Sequence, residues 1–125
     1  MEKPLKIKGT EDTPEVIFDS SKKEFSIKGK SLPEDPAEFY QSIIAWMSAY
    51  IKNPNPYTEL EINLEYFNSG SVKQIMVLLI MLEEIITTGN KIKILWCYDE
   101  NDDLMEIKGN EFKNMLTIPF ELRIC

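Results

Sequence analysis

The chain contains no histidine, so the side chain most often used as a general base or transition-metal ligand near neutral pH is missing. Ser/His/Asp and Cys/His nucleophile systems are excluded in their usual form, and no residue is assigned a catalytic role. Glycine is scarce, 5 in 125 residues. Neither GxxxxGK followed by Ser or Thr nor GxGxxG occurs, which removes the dedicated glycine loops that cradle phosphates. Cysteine is limited to Cys97, in an apolar stretch, and Cys125 at the very end. With no CxxC spacing and no secretory context, a reduced, cytoplasmic setting is expected. Positive charge is in deficit: 14 Lys and Arg against 21 Asp and Glu leave a net charge of -7. A nucleic-acid backbone demands a basic stripe, so no nucleic-acid partner is expected. The longest apolar run, Ile75 to Leu82, is far short of the ~20 residues needed to cross a bilayer. The first residues, MEKPLKIKGTED, hold no apolar core of a signal peptide. A soluble protein with no membrane partner is the expectation.

What is present supports one domain over residues 1–125. A chain of this length that is 43% hydrophobic buries enough surface to form a core without metal or disulfide staples. The one metal-like string, Asp99-Glu100-Asn101-Asp102-Asp103, begins like a calcium loop. It then fails, because Leu104 stands where the sharp turn needs glycine and Asn110 where the bidentate glutamate belongs. It reads as a solvated acidic turn, and neither metal nor cofactor is expected.

Alternation and β-branched or aromatic content predict strands over Leu5–Lys8, Glu15–Asp19 and Glu24–Lys28, the last two joined as a hairpin. Asp35-Pro36-Ala37-Glu38 is a helix start, with an N-cap, proline at the first position and an acid in the first turn. Its apolar residues Phe39, Ile43, Met47, Tyr50 and Ile51 recur at helical spacing until Asn53-Pro54-Asn55-Pro56. Thr58 to Glu65 alternates, with Leu60, Ile62 and Leu64 on one face and Glu59, Glu61, Asn63 and Glu65 on the other. Glu61 and Glu65 therefore read as solvent-facing residues of a strand and not as a catalytic pair. Thr88-Gly89-Asn90 stops the next helix, Lys91–Tyr98 is a strand, Asp102–Met115 is helical but interrupted at Gly109-Asn110, and Phe120–Ile124 is a last strand. The order implies an α/β fold with a mixed sheet and helices packed mainly on one face.

Everything converges on the turn between Leu64 and Ile86. Asn68-Ser69-Gly70-Ser71 separates the alternating strand from a strongly apolar helix. Gly70 is read as permitting a tight turn, and Ser71 with Gln74 as a capping box. The first amides of that helix, at the positive end of its dipole, favour a phosphate, whether carried by a ligand or attached to a serine. With Ser71 employed as cap, Ser69 is the free hydroxyl and the candidate phosphorylation site, supported by Asn68, Gly70 and Ser71. At about 100° per residue, Val72, Ile75, Leu78, Leu79, Leu82 and Ile86 share a core face. The opposite face carries Lys73, Met76, Val77 and Ile80, and apolar residues there suggest either a docking surface or a face covered by a loop or by the first helix.

Several segments also resemble the SiaC-like regulatory phosphoproteins, whose fold is similar to STAS domains: Asp12-Thr13-Pro14-Glu15-Val16, Gly29-Lys30-Ser31-Leu32-Pro33-Glu34, Glu38-Phe39-Tyr40, Leu64-Glu65-Tyr66-Phe67-Asn68-Ser69, Trp96 with Tyr98-Asp99-Glu100, and Ile118-Pro119-Phe120. The resemblance implies a non-enzymatic regulator of a bacterial partner-switching pathway. In that family a kinase phosphorylates the hydroxyl residue after the Phe-Asn pair, here Ser69, and a PP2C-type phosphatase removes the phosphate. Better-known members carry threonine at that position. The resemblance further implies that the unphosphorylated form binds an output protein such as a diguanylate cyclase, with Tyr66, Phe67, Lys73, Met76, Val77 and Ile80 expected at the interface. Two other readings stay open: an anti-sigma-factor antagonist, as among STAS relatives, and a small domain binding a phosphorylated ligand at the helix N-terminus.

Overall fold

The computed structural model describes residues 2–125. Six strands and three main helices follow the order β1 (Leu5–Ile7), β2 (Glu15–Asp19), β3 (Glu24–Ser31), α1 (Pro36–Tyr50), β4 (Tyr57–Phe67), α2 (Ser69–Leu82), a single helical turn α3 (Glu84–Thr87), β5 (Lys91–Tyr98), α4 (Asp103–Met115) and β6 (Phe120–Ile124). The strands lie side by side in sequence order in one sheet. β1, β2 and β3 are antiparallel, and β3, β4, β5 and β6 are parallel.

This order explains the one-sided architecture. Parallel crossovers are right-handed, and a strand order that never reverses sends every crossover helix to the same face. The core confirms it. Val16 pairs with Ile27, Ile27 with Ile62, Ile62 with Trp96 and Trp96 with Leu122, giving one apolar row across five strands. Onto this face α1 brings Trp46 and Tyr50 against Phe18 and Phe25, with ring centroids 5.2–6.1 Å apart. α4 brings Phe112 to 5.3 Å from Trp96. The other face carries the row Lys6, Ile17, Ser26, Glu61, Leu95 and Glu121. There Glu61 pairs with Lys28 at 3.5 Å, and Glu121 with both Lys93 and Arg123. The expected solvent side of β4 is thus observed.

Three local expectations are corrected. α4 is continuous through Gly109-Asn110; a Cβ on Gly109 would come within 2.6 Å of Trp96 Cδ1, so this glycine lets the helix lie on the indole. Ile86 is exposed and Ile85 is buried in its place, because α2 ends at Leu82 and the restart in α3 shifts the helical phase. The cysteines, expected to be reduced, are joined as a disulfide, Cys97–Cys125, with Cα atoms 5.5 Å apart. The parallel register brings the last residue beside β5, a proximity that cysteine spacing in the chain does not reveal.

Candidate functional site

β3 and β4 run parallel and end together, Ser31 opposite Phe67. Both lead into helices, so the N-termini of α1 and α2 emerge side by side at one edge of the sheet. At the end of β3 the register shifts between Gly29 and Lys30. Gly29 has φ +117°, a conformation L side chains resist.

The central helix begins three residues earlier than the capping-box reading places it. Asn68 is the N-cap: its Oδ1 accepts from Ser71 N at 2.9 Å, and Ser69 is the first helical residue. Asn68 is anchored in turn, its backbone N–H donating to Ser31 O at 3.0 Å and its Nδ2 to Pro33 O at 3.0 Å. Ser71 is fully buried. Its hydroxyl donates to Ser31 O at 3.1 Å and accepts from Ser31 Oγ at 2.8 Å, and Ser31 Oγ lies 2.7 Å from Tyr40 Oη. Because the last acceptor is a carbonyl, the chain of hydroxyls has one direction, Tyr40 to Ser31 to Ser71 to Ser31 O. Burial pushes the Tyr40 phenol above its usual pKa, against the opposing effect of the neighbouring Ser31 and Ser71 hydroxyls. The second correction concerns Gly70. Its backbone does not take the left-handed conformation, yet a Cβ there would stand 2.6 Å from Pro36 Cγ. Glycine is needed for the close approach of α2 to the first residue of α1, and not for a turn.

Ser69 is exposed, in contrast to Ser71 two residues on. Its position on the first turn places its hydroxyl where unpaired amides and the helix dipole favour negative charge. The first turn of α2 contains no acidic residue, whereas α1 has Glu38 there and α4 has Asp103 and Glu106. Beside it Tyr66 is 59% exposed, and Phe67 is half-buried with its ring 6.1 Å from Trp96. Along the outer side of α2, Lys73 is exposed, Val77 is 46% and Ile80 51% exposed, and Met76 is half-buried. The structure thus brings together every expected site residue along one edge and one helix face.

Sequence reasoning missed the contribution of α4. A groove of about 380 Å³ runs between α2 and α4, lined by Val72, Lys73, Met76, Lys108, Glu111, Phe112 and Met115. A second, of about 220 Å³, is lined by Glu65, Tyr66, Phe67, Asp102, Leu104 and Met105. The exposed Leu104 and Met115 were the available signal, since apolar residues outside the core periodicity of a helix ask for an explanation. Glu61 stays on the helix-free side and does not join the site, whereas the exposed Glu65 lines the second groove beside Tyr66 and Phe67. Among the described residues, no group of three or more His, Cys, Asp or Glu is arranged to hold a metal ion, and no helix is long and apolar enough to cross a membrane.

Fold and site together define a one-sided α/β domain that presents an exposed hydroxyl at the start of a helix with an exposed apolar outer face. The family model for the SiaC family of regulatory phosphoproteins matches residues 7–124, and the chain belongs to that family. Among solved structures it is similar to apo-SiaC from Pseudomonas aeruginosa, with a TM-score of 0.90 and 29% identity over 98% of this chain and 99% of that one. It is also similar to SiaC in a crystal structure of the diguanylate cyclase SiaD in complex with its activator SiaC from the same organism. That match has a TM-score of 0.88 and 30% identity over 97% of this chain and 99% of that one. An uncharacterized protein of Pseudomonas aeruginosa is 29% identical over 119 residues, 95% of this chain and 94% of its own length.

Proposed function

We propose that this protein is a non-enzymatic phosphoswitch: a cognate kinase phosphorylates Ser69, a PP2C-type phosphatase reverses it, and the unmodified form binds and regulates a diguanylate cyclase in the cytoplasm. The observation that carries the reading is the division of labour in the central turn. Asn68 caps the helix, Ser71 is locked in the buried hydroxyl chain, and Ser69 alone is exposed with no structural task. Assembly with a diguanylate cyclase is known for the similar SiaC, and the apolar outer face of α2 with its groove against α4 supplies a surface for such a partner.

The switch acts at the interface and leaves the fold in place. Within the free domain, a phosphate on Ser69 gains ~0.3–1 kcal/mol from the helix N-terminus. At a docked interface it brings about -1.5 to -2 charges that must be desolvated against a surface shaped for a hydroxyl. One like-charge pair ~4 Å apart at intermediate dielectric opposes binding by ~4 kcal/mol, which exceeds a hundredfold in affinity. The interface term therefore wins. The test is cyclic dinucleotide synthesis by the partner cyclase titrated with the parent protein, Ser69→Ala and Ser69→Asp, together with mass-spectrometric mapping of the phosphate. Stimulation by the first two and not by Ser69→Asp, with phosphate on Ser69, is the expected result. Phosphate on Ser71, or equal stimulation by all three, overturns the reading.

A further inference from the structure

The disulfide lies apart from the Ser69 edge's hydrogen-bond network and has no part in the proposed switch. β6 is an edge strand, paired only with β5. Cys97 sits opposite Arg123, and Cys125 follows two residues later on the same, helix-free face, its N–H bonded to Tyr98 O at 3.0 Å. The bond therefore ties the C-terminal end of β6 to its neighbour β5. Its two sulfurs differ in access: Cys97 is 2% exposed and Cys125 is an exposed residue. They also differ in electrostatics, for Glu61 Oε2 lies 3.8 Å from the Cys97 sulfur. A carboxylate at that distance disfavours a thiolate on Cys97, and burial adds to the effect.

We propose that Cys97 and Cys125 form a redox-active modification site for low-molecular-weight thiols and disulfides, entered through Cys125, whose state sets how firmly the β6 edge is fastened. In the reducing direction a small thiolate attacks the Cys125 sulfur, forming a mixed disulfide there and releasing Cys97, which takes up a proton. A second small thiolate attacks the outer sulfur of the mixed disulfide, leaving two protein thiols and one small-molecule disulfide. In the oxidising direction a small disulfide supplies the oxidising equivalents and the two protein thiols lose two electrons and two protons. Attack is directed to Cys125 because exchange requires access to the sulfur, and the poor leaving tendency of Cys97 makes opening slow relative to reclosure.

Parent protein, Cys97→Ser and Cys125→Ser, each folded, are incubated in glutathione buffers of graded ratio, quenched in acid, alkylated and weighed intact. The parent should interconvert between a dithiol and a form lighter by two hydrogens, without stable adducts. Cys97→Ser should take one glutathione on Cys125, at least about tenfold faster than Cys125→Ser takes one on Cys97. Hydrogen exchange on the parent, which needs no variant, should show faster exchange in β6 and its flank of α4 on reduction and none at the Ser69 turn. A parent that stays dithiol in excess oxidised glutathione, equal labelling rates, or exchange in β6 indifferent to reduction would each overturn the proposal.

Discussion

The three long helices start in the same way and differ in charge. Each uses an Asx cap whose side chain accepts from the amide three residues on: Asp35 from Glu38, Asn68 from Ser71 and Asp102 from Met105. α1 and α4 add a carboxylate at the cap and further acids in the first turn, so their dipoles are answered from within. α2 has a neutral cap and no acid, and its only exposed hydroxyl stands there. Anionic groups are favourable at any helix N-terminus by a few tenths to one kcal/mol. The proposed phosphorylation of Ser69 would supply to α2 the negative charge that α1 and α4 already carry.

The comparison breaks most severely if α2 can no longer approach α1. Gly70→Val forces atoms into the space held by Pro36, and overpacking of this kind should destabilise the domain by about 3 kcal/mol, read as a lower urea midpoint at constant slope. Ser71→Ala removes one member of the buried hydroxyl chain and leaves Ser31 short of an acceptor, with an expected loss of about 1–3 kcal/mol in the same measurement.

Tyr40→Phe probes the head of that chain through pH. The phenol's folded pKa is raised by burial, so its contribution is fully present below the unfolded value near 10 and is lost as pH rises toward the folded value. The parent should lose stability in alkaline melts faster than Tyr40→Phe; parallel curves would refute the assignment.

Asp102→Ala should cost about 1 kcal/mol as an ordinary lost cap. Asn68→Asp sharpens the contrast, because it gives α2 the anionic cap that α1 and α4 already have while losing the donor to Pro33. Stability should stay within about 1 kcal/mol of the parent, while cyclase binding should weaken as it does for Ser69→Asp. The smallest effect on the fold is expected for Ser69→Ala and Ser69→Asp, both melting within about 1 kcal/mol of the parent. A large loss for either would give Ser69 a structural role that the turn does not assign to it.

Much of the fold was legible because its signals are local. β2, β5 and β6 have the bounds that alternation predicts, and Asp35 with Pro36 marks the start of α1. The position of Ser69 could be read from the turn and from the family resemblance. Its freedom was read for a partly wrong reason, since the Ser71 hydroxyl is occupied by the Ser31 hydroxyl and carbonyl and not by a capping box with Gln74. A hydroxyl bonded to a residue forty positions away leaves no mark in helical periodicity.

What the sequence determined by itself was the six strands, the three long helices and their order, because hydrophobic period and capping chemistry act over a few residues. The order carries the one-sided sheet with it through the handedness of crossovers. Only the tertiary structure decided which residues meet. Gly70 faces Pro36, Gly109 faces Trp96, Cys125 reaches Cys97, and α4 lies beside α2 to complete a groove. Each of these depends on the register and spacing of elements far apart in the chain, set by close packing of the whole core and not by any local preference.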